Sequence, residues 1–120
     1  MLKKELMETR AYHEICSKPS SFSRQEIEQT LAALEKVESN KMGLISDTLK
    51  SKPAEKPAQH RGSKETDYFL VQITIEDAEK IVEALGTLEA QSVSPEGHTT
   101  REASYYASLL DRWLNYVESL

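Results

Sequence analysis

Between Ile27 and Val37 the apolar residues fall at Ile27, Leu31, Leu34 and Val37, the spacing of one helix face, with Glu and Gln opposite. The stretch "FSRQEI" marks the start of this element. Ser23 is placed to accept from the N–H of Glu26 while the Glu26 carboxylate reaches back to Ser23, and Phe22 and Ile27 occupy the two positions of a hydrophobic staple. A helix is therefore predicted over residues 24–38, ending near Asn40 or Gly43. A weaker pattern over residues 2–16, with Leu2 and Leu6 on one line and Met7, Ala11 and Ile15 on another, predicts an earlier helix. "SKPSS" interrupts it, because Pro19 disfavours helix in the residue before it.

Further along, "TDYFLVQITIED" reads as a β-strand over Tyr68–Ile73. Both alternating sets are largely apolar, so the strand should be covered on both faces. Thr74 with Asp77 offers a capping box for the next helix, whose stripe is Ala78, Ile81, Val82, Leu85 and Leu88. "SVSPEGHTT" makes the turn, and Thr99 with Glu102 is the expected start of a last helix over about residues 100–119. Its main stripe is Ala103, Tyr106, Ala107, Leu110, Trp113, Leu114 and Val117. Tyr105, Leu109 and Tyr116 form a second line beside it. The combined apolar arc is about 200°, wider than the ~100° that one core face needs. The surplus is read as an interface, with the strand residues Phe69 and Val71 contributing to it.

The pattern disappears between Ser46 and Thr66, which holds two prolines, one glycine and almost nothing apolar. Such a stretch buries too little surface to offset its ordering entropy. The expected architecture is mainly α with one β-strand: a helical N-terminal segment over 1–38, a flexible basic linker over 39–66, and a β-α-α module with an antiparallel helical hairpin over 67–120. A single strand must find a partner for its backbone groups. Pairing with a second copy across a two-fold axis is the favoured solution, so a homodimer is expected.

Charge sharpens this picture. Residues 1–66 carry 12 Lys/Arg against 10 Asp/Glu, whereas residues 67–120 carry 3 against 10, a balance of −7. The acidic C-terminal half disfavours nucleic acid as its ligand and suits a basic protein partner. Lys50, Lys52, Lys56, Arg61 and Lys64 are the alternative site, for a polyanion, but no aromatic residue is interleaved among them to stack bases.

Little catalytic chemistry is legible. Cys16 is the only cysteine, and His13 lies three residues before it with no second Cys/His pair to complete a metal site. The four glycines are scattered singly, which rules out a phosphate-cradling loop. No run approaches the roughly 18 apolar residues needed to span a bilayer, and no apolar leader follows Met1. The expectation is a cytoplasmic, non-enzymatic interaction protein, an adaptor or inhibitor, without metal or cofactor. A nucleic-acid-associated regulator and a small-ligand protein with a site in a dimer cleft are the alternatives.

Overall fold

A computed structural model of the chain describes residues 2–54 and 67–120, with side chains from residue 10 onward. Among these residues the order is α1 (Leu2–Ser17), β1 (Ser21–Ser23), α2 (Arg24–Lys36), α3 (Met42–Lys50), β2 (Tyr68–Leu70), α4 (Ile75–Gln91) and α5 (Arg101–Glu118). The molecule is mostly helical, with one small two-stranded antiparallel sheet.

The starts of the helices follow the local code closely. The Ser23–Glu26 capping box is complete in both directions, and the staple residues Phe22 and Ile27 are both fully buried. Thr74 accepts from the N–H of Asp77 at 3.2 Å. Asp77 does not close the expected box; its carboxylate pairs instead with Lys41 at 2.8 Å. Thr100, not Thr99, caps α5 by accepting from Ala103 at 3.0 Å. α2 stops two residues earlier than its apolar pattern implies. Glu38 adopts a left-handed φ of 52°, its N–H donates to the Glu35 carbonyl, and Ser39 donates to Leu34 at 3.0 Å. These paired bonds close the helix as a Schellman motif, with a glutamate at the position where glycine is usual.

Two expectations are corrected. The strand does not stand alone: Phe22 faces Phe69, flanked by the pairs Ser21–Leu70 and Ser23–Tyr68. The pairing continues on either side, with Val71 donating to Ser20 at 2.8 Å and Arg24 to Asp67 at 3.0 Å. The outer edge of β1 is closed by neighbours, since Ser21 N–H reaches the Lys18 carbonyl at 2.9 Å and Ser23 N–H reaches Glu26 at 2.8 Å. On the far edge of β2, Ala54 donates to the Tyr68 carbonyl at 2.8 Å. Regular pairing covers three residues of β2 and not six, and a second copy is not needed to satisfy it.

The linker expected over 39–66 begins with order. Met42–Lys50 forms α3 and buries Ile45 completely. Residues 55–66 of that segment lie outside the described residues.

One core holds these elements together. Phe22, Ile27, Leu34 and Ile45 from the N-terminal half pack with Val71, Ile81, Leu85, Tyr106, Trp113 and Tyr116 from the C-terminal half. Each such side chain contributes about 1.5–3 kcal/mol on burial. α4 and α5 lie side by side. Thr100, before α5, hydrogen-bonds the Ser92 carbonyl just after α4 at 2.5 Å. At the far end the Ile73 N–H, just before α4, donates to the Tyr116 hydroxyl at 3.2 Å.

Candidate interaction surface

The residues expected at an interface separate once the chain folds. Phe69, Val71, Leu109 and Tyr116 are all at most 4% exposed and belong to the core. This corrects their reading as surface residues: truncating Leu109 or Tyr116 removes packing, not a partner contact. Only Tyr105 remains accessible, at 40%, stacked edge-on against Tyr106 with ring centroids 5.2 Å apart. The buried stripe of α5 is Ala103, Tyr106, Leu109, Trp113 and Tyr116, so the helix is rotated relative to the stripe read from its sequence. Leu114, assigned to the core side, is 38% exposed. Of the basic candidates, Lys50 and Lys52 are exposed, whereas Lys56, Arg61 and Lys64 lie outside the described residues.

The groups that fix α5 against the sheet escaped the sequence reading. Arg112 donates to the Glu26 carboxylate at 3.1 Å and to the Pro19 carbonyl at 2.9 Å. It also donates to the Ser21 carbonyl, and its guanidinium lies 3.8 Å from the centroid of the Phe22 ring. One planar fork thus ties α5 to the loop before β1, to β1 itself and to the first turn of α2. Beside it, Trp113 donates to Thr30 at 2.9 Å inside the core. Thr30 in turn donates to the Glu26 carbonyl at 2.7 Å. The only advance signal was an arginine directly before the tryptophan of a strongly amphipathic helix. On this flank Lys36 also donates to the Tyr106 hydroxyl at 2.8 Å, and that bond holds its ammonium above the ordinary lysine range.

The opposite flank of α5 looks different. Leu110 and Val117 are half-buried and Leu114 is exposed, with Val82 and Gly86 half-buried on α4. Exposed acids neighbour them at helical spacing: Glu79 and Glu83 on α4, Asp111 and Glu118 on α5. Two of the three cations of residues 67–120 are engaged with acids, Arg112 with Glu26 and Lys80 with Glu83 at 3.5 Å. The Lys80 pair is exposed on both sides and offsets little of the field. The result is a partly exposed apolar strip with exposed acids on both helices beside it.

Other features carry less chemistry. A broad open cleft of about 620 Å³ is lined by Leu44, Val71, Ile73, Asp77, Tyr116 and neighbouring residues. Three of the polar side chains that line it are already engaged: Tyr116 with the backbone at Val71 and Ile73, Thr74 with its own helix, and Asp77 with Lys41, whose hydrogen bond lowers the Asp77 pKa. Near Cys16, burial and then a hydrogen bond to the thiol push the Tyr12 phenol up to about 12. Neither arrangement pairs a nucleophile with a base. Among the described residues no group of three or more His, Cys, Asp or Glu converges on a common point, and no helix is long and apolar enough to cross a membrane. Comparison with known proteins returns no matching family, no matching curated protein and no matching solved structure.

Proposed function

We propose that the chain is a small non-enzymatic protein-interaction module, an adaptor or inhibitor, that presents the antiparallel α4–α5 hairpin to a basic partner. The observation that carries this reading is Leu114, left in water between carboxylates although the same helix offers ample burial elsewhere. Isolated exposed leucines are ordinary on protein surfaces; this one continues a ridge of half-buried apolar residues along a helix seam, rimmed by charge of one sign. Such a patch has the anatomy of an interface, apolar at its centre and polar at its rim.

In this reading the protein works as a single copy. The strand that called for a second chain is paired within the first, and two acidic hairpins brought face to face repel. Light scattering should return a mass near 13.6 kDa, and twice that value would restore the dimer. The function itself is tested by quantitative affinity capture from the cells that make the protein, using the native chain and Leu114→Glu in parallel. The proposal expects one or a few proteins held by the native chain and lost with the variant. Identical captures from both would overturn it.

A further inference from the structure

We infer that the outer seam of the α4–α5 hairpin is a groove for one amphipathic helix of a partner protein, with a leucine-type stripe in the seam and Lys/Arg along both flanks. This rests on the interaction-module reading and names the partner's chemistry.

The placement follows from which flank each helix has already used. α5 turns its Arg112 side to β1 and α2, and α4 turns its Asp77 side to Lys41. Val82 and Gly86 lie on the other flank of α4, one turn apart. Leu110, Leu114 and Val117 lie on the other flank of α5, at steps of four and three. α4 and α5 pack against each other along their lengths, and in this placement the two flanks border the outer seam of the pair. α4 spans 17 residues, ~25 Å of helix, which is the upper bound on the length a docked helix shares with it.

Gly86 adds an independent observation. A glycine inside a helix costs about 1 kcal/mol relative to alanine. A Cβ placed there would meet nothing within 4 Å, so no contact within the described chain calls for the bare backbone. It leaves bare backbone open beside the seam, where a side chain from outside can approach closely. The banks then choose the occupant. Glu79 and Glu83 on one side and Asp111 and Glu118 on the other are all exposed. A second copy of this hairpin would set carboxylates against carboxylates, whereas a helix with basic flanks meets opposite charge on both sides and steers to the groove.

The test uses the full chain, isotope-labelled, and three synthetic 18-residue peptides at two ionic strengths. The first carries a leucine stripe with Lys/Arg flanks, the second the same stripe with Glu flanks, and the third the first composition scrambled so that no stripe forms. The first should bind at least tenfold more tightly than the scrambled peptide, weaken with salt, and shift the amides of Val82, Gly86, Leu110, Leu114 and Val117. The Glu-flanked peptide should not bind. Leu114→Glu and Gly86→Leu should each lose at least tenfold in affinity while keeping the native spectrum away from the seam. Equal binding of the scrambled peptide would reduce the effect to general charge attraction and overturn the inference, as would shifts centred on the Val71–Thr74 cleft. If the native chain captures a Leu114-dependent partner but no basic helix binds, this inference falls and the module reading survives. If capture ignores Leu114→Glu, both fall.

Discussion

The two flanks of α5 spend the same kinds of side chain in opposite ways. On the flank facing β1 and α2, a cation is largely shielded from water and each nitrogen of the Arg112 fork has an acceptor: a carboxylate and two carbonyls. Aromatic rings close around it, with Phe22 and Trp113 centroids 4.5 Å apart. On the flank over the α4 seam, apolar side chains stay partly in water, and among the described residues the acids beside them meet a cation of their own helix only in the exposed Lys80–Glu83 pair. The first flank is built to hold this chain together, and polar groups there are costly because the site is dry. On the second flank Val82, Leu110 and Val117 pack against the edge of the core, and what they and Leu114 leave exposed is available to something else.

Breaking the dry flank should cost most. Trp113→Ala removes a fully buried ring together with its bond to Thr30, and should destabilise the fold by about 3–5 kcal/mol in urea unfolding. Arg112→Ala leaves the Glu26 carboxylate and two carbonyls without their donor, an expected loss of about 2–3 kcal/mol. Arg112→Lys should recover only part of it, because an ammonium lacks the planar fork. Tyr116→Phe keeps the packing but removes the hydroxyl shared among the backbone groups of Val71 and Ile73. About 1 kcal/mol should be lost, with hydrogen exchange accelerating first at Ile73.

The smallest effect sharpens the contrast from the exposed side. Asp77 has a pKa lowered from its usual 3.8, chiefly by its hydrogen bond to Lys41. A carboxyl depressed by folding contributes stability above that value and loses it as pH falls through the folded pKa. The stability difference between the native chain and Asp77→Asn should therefore be small at neutral pH, shrink as pH falls below 3.8, and vanish once pH is below the lower folded-state value. A difference that persisted there would mean that Asp77 acts through packing or its backbone.

The elements legible in advance are those whose signals lie within one turn. Ser23, Glu26, Phe22 and Ile27 speak to each other across three to five residues, and the structure completes the capping box and buries both staple residues. β1 was illegible because "SFS" has neither length nor β-branched residues; it is a strand only because β2 returns from more than forty positions away. α3 was read as spacer for a related reason. Its stripe of Met42, Ile45 and Leu49, at steps of three and four, is only two turns long, and no side chain caps its start to announce it.

The candidate surface was half legible. An apolar arc too wide for one neighbour correctly marks α5 as a helix contacted from several sides, yet periodicity cannot say which edge of the arc faces inward. Leu109 and Tyr116 turned in and Leu114 turned out, because the Arg112 fork and the Trp113–Thr30 bond set the rotation of the helix.

The amino-acid order by itself determined where α2 and α4 begin, that the C-terminal half is acidic, and that α5 is apolar over more than one face. All of these depend on neighbours close in the chain or on composition. Only the tertiary structure decided that the strand is paired at home, that Arg112 is the tie between halves, and which leucine is left in water. Those outcomes depend on groups brought together across more than forty residues, and no local spacing encodes that distance.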